Sequence, residues 1–332
     1  MTALEVTDLR VQYGRGARAV RAVDGVSLAV PSGGTLGLVG ESGSGKSTVA
    51  RALVGLTHGS FQRLVVADAE FSSWSRPAEA RVRRHVQFIT QDPSSAFNPR
   101  STIGASIAEV LASPVRESAS GTARTPAELL ELVALDTGVA RRYPHELSGG
   151  QLQRASIARA LAARPSVLIA DEITSALDVG VQAGILRLLG DLQKELALSI
   201  VFISHNLAVT RHISDQVAVM YLGRIVEAGD SEEVLVQSRH PYTRALVDSV
   251  PRLKVGAPLR LPIQSEPPDP RHPPAGCRFH PRCPVGPQTN PERTDCIEHD
   301  PGTIATSASD AACHYASQAT RTIAAQDTPV PG

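Results

Sequence analysis

"GESGSGKST", residues 40–48, follows directly on the apolar run 36–39. Three glycines and four hydroxyl side chains surround one lysine, at the point where a buried strand should end. The spacing is G-x-x-x-x-G-K-[ST], from Gly40 through Gly45 and Lys46 to Ser47. Gly40, Gly43 and Gly45 let successive backbone N–H groups turn inward around a polyphosphate. A helix expected to begin at Lys46 adds the positive end of its dipole. Lys46 then reaches the outer phosphates and Ser47 offers its hydroxyl to Mg²⁺, with Ser42 and Thr48 beside them in the nucleotide-binding set. The competing reading is a plain Gly/Ser turn between strand and helix, so the rest of the chain has to decide.

Composition narrows the choice. A chain of 332 residues is long enough for one large domain or two. Lysine plus arginine equals aspartate plus glutamate, 33 each, so no bulk basic field favours nucleic acid. No apolar run approaches the ~18 residues of a membrane helix. "MTALEVTDLR" has neither the basic start nor the apolar core of a secretory signal. The expectation is a cytosolic chain whose membrane role, if any, runs through another subunit.

Along the chain, residues 4–13 and 23–30 alternate as edge strands do, and 35–39 reads as a buried strand followed by a helix over 46–56. "VQFIT" (86–90), "SVLIA" (166–170), "SIVFIS" (199–204) and "QVAVMYL" (216–222) are further strands. Between 101 and 147, "IGASIAEVLA" and "PAELLELVAL" have helical spacing with no strand between them. The pattern predicts an α/β core around a parallel sheet, with a helical insertion. From Pro251 the texture changes: 13 of the 24 prolines lie between 251 and 301, which forbids long helices and central strands there. Residues 317–332 read as a disordered tail.

"VLIADE" (167–172) is an apolar strand ending in two carboxylates. Asp171 could reach the Mg²⁺ shell and Glu172 could polarise an attacking water. "ELSGGQLQRASIARAL" (146–161) places a serine and two glycines before a helix, a second anion site without a lysine. Two phosphate-binding surfaces with room for one nucleotide per glycine loop suggest a dimer. Each ATP would lie between one protomer's loop and residues 148–150 of the other.

These motifs, in this order over roughly the first 240 residues, resemble the ATP-binding cassette of ABC transporters, whose signature reads "LSGGQ" at 147–151. The resemblance implies a P-loop NTPase fold with a RecA-like parallel-sheet core, an antiparallel β region and a helical subdomain. The cassette would span 1–250, with roughly 101–150 as the helical part, and a Pro/Cys-rich extension would span 251–316. It also implies roles: Tyr13 stacks on adenine, and Ser148, Gly149, Gly150 and Gln151 bind the nucleotide of the facing protomer. Gln91 links Mg²⁺ and the water to the membrane partner, Asp178 couples the two sites, and His205 contacts the γ-phosphate. Two residues depart from the family pattern. Ile173 stands where a proline usually follows the catalytic glutamate, and Asn206 replaces the usual aspartate after the switch histidine.

Beyond the core motifs, "QDPSSAFNPRSTIG" and "HPYTRALVDSVP" are similar to the ATPases of dipeptide and oligopeptide importers, a branch that also handles nickel and other solutes. "FNPR" and "MYLGRIVE" resemble the second of the two non-identical ATPases of such systems. The implied partners are a second ATP-binding subunit (identical or paralogous), two permeases and an extracytoplasmic solute-binding protein, with the chain peripheral on the cytoplasmic face of the membrane. The competing classes are a non-transport ABC ATPase of DNA repair or translation, and a nucleotide-sensing subunit that does not hydrolyse. All four cysteines, Cys277, Cys283, Cys296 and Cys313, fall in the last 56 residues, spaced C-x5-C-x12-C-x16-C. That spacing matches neither ferredoxin runs nor paired C-x2-C zinc sites. The branch carries a [4Fe–4S] cluster in this region, so the resemblance implies one here, with zinc or unligated thiols as alternatives.

Overall fold

The computed structural model describes residues 2–113, 124–175, 177–249, 266–306 and 309–316. The chain opens with β1 (Thr2–Tyr13) and β2 (Val20–Pro31), then β3 (Thr35–Val39) and α1 (Lys46–Leu53). β4 (Arg63–Val66), β5 (Ala69–Phe71), α2 (Arg76–His85) and β6 (Val86–Ile89) follow. The helical insertion contributes α3 (Ile103–Leu111), α4 (Pro126–Leu132) and α5 (Gly149–Leu161). Strands and helices then alternate: β7 (Val167–Asp171), α6 (Val179–Leu196), β8 (Ser199–Ile203), α7 (Leu207–Ile213) and β9 (Gln216–Tyr221). The remainder is β10 (Arg224–Asp230), α8 (Ser231–Val236), α9 (Pro241–Asp248), α10 (Asp295–Glu298) and β11 (Asp310–Ala311).

Two sheets result. The larger runs β11-β10-β9-β3-β8-β7-β6, parallel from β9 to β6 and antiparallel at β10 and β11. The smaller is antiparallel, in the order β2-β1-β4-β5. β1 is therefore an interior strand and not the edge strand its alternation suggests. Pairing with β4 occupies its second side through residues 4–7, a non-local contact that no local pattern announces.

Every residue of β3, β7 and β8 is buried, as strands covered on both faces must be. The two-residue period sorts them. Val167 and Ile169 join Leu36, Leu38, Val201 and Ile203 under α1 and the small sheet. Leu168 and Ala170 join Ile200 and Phe202 under α5, α6 and the helical insertion. The insertion's helices begin where their caps dictate: Thr125 and Glu128 close a reciprocal capping box ahead of Pro126, and Ser148 and Gln151 do the same at α5. No helix among the described residues is long and apolar enough to cross a membrane.

The C-terminal extension has only a 3-10 turn (His280–Arg282), a four-residue helix and a two-residue strand among its described residues, in keeping with its prolines. It is nonetheless bound to both sheets. β11 pairs with β10 at Glu227 and Ala228, and the Thr306 hydroxyl accepts from the Ala29 amide at 2.7 Å. Phe279 is buried against Tyr221 and Tyr242. Asp24, 2% exposed, receives Arg10, Arg224 and Arg278, the last of which also donates to the Leu222 carbonyl. Burial pushes the Asp24 carboxyl up, but the Arg278 and Arg224 guanidiniums outweigh it and hold it below the usual carboxylate range. The sequence expectations for 251–265 and for the 317–332 tail lie outside the described residues.

His240 joins α9 to this assembly. It is 1% exposed, and its Nδ1 accepts from the Tyr242 amide at 3.1 Å. The Glu227 carboxylate takes the His240 amide at 3.0 Å. Burial pushes the imidazole down to about 4, against a small opposing pull from the Ala312 backbone. A depressed folded-state value means that the unfolded chain binds the proton first. Stability is thus complete above the unfolded value near 6.5 and falls as pH drops toward about 4. Urea unfolding of the parent and of His240→Asn, compared at pH ~7 and ~4, should shift in the variant's favour on acidification by on the order of 3 kcal/mol. A pH-independent difference would refute the assignment.

Candidate nucleotide site

β3 delivers the glycine loop to the C-terminal edge of the parallel sheet, where such folds bind ligands. Two of its glycines are required by space as well as by φ. A Cβ on Gly40 (φ +151°) would stand 2.2 Å from the Met220 carbonyl oxygen, and one on Gly45 (φ +109°) 2.3 Å from that of Ala22. Ser42 and Gly43 are exposed at the tip, while Ser47 and Thr48 are half-buried at the start of α1. Lys46 is 6% exposed. Its ammonium donates to the Gly40 and Glu41 carbonyls, both at 2.8 Å, and to Ser44 Oγ at 3.4 Å. Burial lowers its pKa, opposed by the fields of Glu172, Asp171 and Glu41. Those loop carbonyls are weak competitors for an ammonium beside phosphate oxygens.

Across from the lysine, the Ser47 hydroxyl donates to Asp171 Oδ1 at 3.2 Å. Burial pushes the Asp171 carboxyl up, the Ser47 bond pulls it back and the neighbouring Glu172 pushes it further up. A hydroxyl and a carboxylate brought this close are hard oxygen donors of the kind Mg²⁺ takes, completed by phosphate and water. Ser47 and Asp171 therefore fit that ion. Gln91, the third residue expected near it, donates from Nε2 to Ser175 Oγ, on the Glu172 loop, at 3.3 Å.

Glu172 occupies the left-handed region, φ +50°, a conformation that costs a non-glycine residue energy and concentrates at functional sites. Its amide is fixed to the Ile203 carbonyl at 3.0 Å, and its carboxylate lies 3.4 Å from His205 Nδ1. Ser175, which the sequence reading missed, donates to the Glu172 carbonyl at 2.9 Å and so connects Gln91 to Glu172. Its signal was the Ser three residues after Glu172, the spacing of a turn.

Both departures from the family pattern have a local structural role. Ile173 is 2% exposed in the second core cluster, so packing holds the loop where a proline ring would have stiffened it. Asn206 caps α7, accepting from the Ala208 and Val209 amides at 3.1 and 3.2 Å, a task asparagine and aspartate perform about equally. Asp178 likewise caps α6 through the Val181 amide at 3.0 Å.

The other expected residues lie apart from this centre. Tyr13 ends β1, 43% exposed. Ser148 and Gly149 are exposed at the start of α5, and Gly150 and Gln151 are half-buried beside them. The Ser148 and Gln151 side chains bond one another's amides. The face of residues 148–151 is thus turned outward, as a surface meant for another protomer would be.

The four cysteines are free thiols. Burial foremost pushes Cys277 up to about 11 and Cys283 up to about 12, and each is pushed further by other thiols of the set, Cys313 and Cys296 among them. The Cys277 amide donates to the Cys296 carbonyl at 2.9 Å. Yet among the described residues no three His, Cys, Asp or Glu side chains form a group that could hold a metal ion. The expected iron–sulfur cluster and its zinc alternative find no ligand set in this geometry. The thiols are of the right kind, but Cys277 and Cys283 pack against an apolar wall that includes Phe279. His280 Nδ1 lies 2.9 Å from the Cys277 carbonyl oxygen and His314 Nε2 2.9 Å from that of His299.

Comparison with known proteins agrees with this layout. The ABC transporter family matches residues 23–175, and the oligopeptide/dipeptide transporter C-terminal region matches 226–289. A peptide import ATP-binding protein of Brucella abortus is 50% identical over 275 residues, covering 81% of this chain and 80% of that one. The di/tripeptide transport ATP-binding protein DppF of Pseudomonas aeruginosa is 41% identical over 324 residues, 96% of this chain and 98% of its own. Among solved structures, a dimeric ATP-binding cassette in a post-hydrolysis state with ADP and Pi superposes with a TM-score of 0.59 at 25% identity, over 69% of this chain and 98% of that one.

Proposed function

Since the chain belongs to the ABC transporter family, in its branch of peptide-import ATP-binding subunits, we propose that it hydrolyses ATP to power the import of dipeptides or oligopeptides through membrane permeases. The observation that carries the catalytic half is one site in which Lys46, the Ser47–Asp171 pair and the Glu172–His205 pair converge on the glycine loop. The peptide half rests on kinship, because an ATPase subunit does not touch the solute.

In this reading the ammonium of Lys46 leaves the Gly40 and Glu41 carbonyls for the β- and γ-phosphates, and the loop amides and the start of α1 hold the same anion. Mg²⁺, held by Ser47 and Asp171, would supply charge neutralisation between those phosphates. Glu172 draws the proton of the attacking water, and His205 braces the γ-phosphate from the other side. Gln91, joined to Glu172 through Ser175, reports the state of that loop to a permease. The outward face of residues 148–151 closes over the nucleotide of a second ATP-binding subunit, with Tyr13 against the adenine and Asp178 beside the junction. Two permeases and an extracytoplasmic solute-binding protein complete the assembly, with this chain on the cytoplasmic face.

For the extension, the iron–sulfur reading is supported by the family resemblance and by the confinement of the four cysteines to residues 277–313, and it runs against their arrangement as a non-ligating set. Anaerobically purified protein should be brown and carry about four irons and four sulfides per chain if Cys277, Cys283, Cys296 and Cys313 hold a [4Fe–4S] cluster. One equivalent of zinc in colourless protein would give the site to zinc. Metal-free protein with an intact extension would end both readings.

The catalytic assignment has its own test. Glu172→Gln should retain ATP binding and lose turnover by ~100-fold or more. With ATP present it should dimerise, alone or with a paralogue, as read by light scattering. Adding Ser148→Arg should abolish that dimer by placing a bulky cation in the facing phosphate pocket. Parental turnover in Glu172→Gln would remove Glu172 from the mechanism.

A further inference from the structure

Glu41 is the second residue of the glycine loop, and no phosphate chemistry accounts for its carboxylate. The structure gives that carboxylate a partner 241 residues away in sequence. Arg282, in the short 3-10 turn His280–Arg282 of the extension, donates Nη1 to Glu41 Oε2 at 2.9 Å and Nη2 to Oε1 at 3.1 Å. This is the two-pronged geometry that fixes direction as well as distance. The Arg282 side chain is 4% exposed and Glu41 23%. Arg282 Nη1 also reaches Tyr221 Oη at 3.3 Å, and its guanidinium carbon lies 5.8 Å from the centre of the Tyr221 ring.

A second contact reaches the same residue from α9. The Glu41 amide donates to Tyr242 Oη at 2.8 Å, and Tyr242 is fully buried. Tyr242, Tyr221 and Phe279 form one aromatic wedge, with ring centres 4.5 to 5.4 Å apart. Phe279 and Arg282 belong to the same stretch of the extension. The remaining polar group of Glu41, its carbonyl, accepts from Lys46 Nζ at 2.8 Å and from the Ser44 amide at 3.2 Å. Glu41 is thus held by its carboxylate and amide from the C-terminal side, and through its carbonyl it holds the lysine that meets the phosphates.

We propose that Arg282 is a positioning residue for the nucleotide loop: paired with Glu41 and seconded by Tyr242, it sets the loop's curvature and the place of the Lys46 ammonium. Nucleotide affinity is therefore governed from the extension, without any extension residue touching nucleotide. A purely anchoring pair would behave differently. Its loss would free the extension and leave the loop, which the glycines and β3 already shape, as competent as before.

This inference rests on the nucleotide reading of the site, and the test separates the two. Binding of a fluorescent ATP analogue with Mg²⁺ is titrated on the full chain and on Arg282→Gln, Arg282→Lys, Glu41→Gln and the Glu41→Gln/Arg282→Gln double variant, each with its thermal midpoint. Arg282→Gln should weaken binding about tenfold, the scale of a lost charge-assisted contact. Arg282→Lys should lose less, and the double variant no more than either single change, because both remove one interaction. In steady state the KM for ATP should rise by a similar factor while kcat stays within about twofold. Parental affinity in folded Arg282→Gln, or losses that add in the double variant, would overturn the proposal. Should Arg282→Gln fail to fold, Arg282→Lys and Glu41→Gln decide by the same criteria. A parental chain that binds no analogue would overturn the nucleotide reading and this one with it.

Discussion

A buried ammonium organises this molecule. Lys46 is almost wholly removed from water at the foot of α1, and an unpaired charge in that position would cost several kcal/mol. The loop around it meets that cost with two main-chain carbonyls, and Asp171, Glu172 and Glu41 supply the opposing field. Those requirements dictate much of the rest. The loop must curl tightly enough to aim carbonyls inward, so Gly40 and Gly45 pass against the Met220 and Ala22 carbonyls with no room for a Cβ. The carboxylates must end a strand next but one to the loop's own, which is where β7 lies, with β8 between them.

The same region shows what a sequence can and cannot announce. β3, β6, β7, β8 and β9 were legible because each is a short apolar run, and the order of glycine loop, "LSGGQ" and "VLIADE" carried the site. β1 was misread as an edge because its alternation reports one buried face, and says nothing about how many neighbours it has. β4, β5, α2, β10, α8 and α9 went unassigned: the short strands are defined by their pairing, and the helices offer weak or polar patterns. The Asp24 cluster was invisible for a plainer reason. Arg10, Arg224 and Arg278 lie 14, 200 and 254 residues from Asp24, and only the folded chain puts them together.

The departures Ile173 and Asn206 illustrate a related point. Read against a family pattern, each looks like a loss, of a rigid ring in one case and a charge in the other. In the fold each serves its loop by another means, Ile173 by burial and Asn206 by capping α7. Substitution of one local constraint by another leaves Glu172 and His205 facing each other. The cysteines are the opposite case, a conspicuous pattern that in this geometry forms no ligand group, with Cys277 and Cys283 packed against an apolar cluster.

The two residues of β11 have an importance out of proportion to their length. β10 is the last full strand on its side of the large sheet, its residues 225–229 are all buried, and without β11 its outer edge would be open. Such an edge is a template on which any other extended chain can add itself. Asp310 and Ala311 pair across its middle, and the Ala312 amide takes the Val226 carbonyl at 2.8 Å. The extension thereby occupies part of an edge to which another copy's strand could otherwise add.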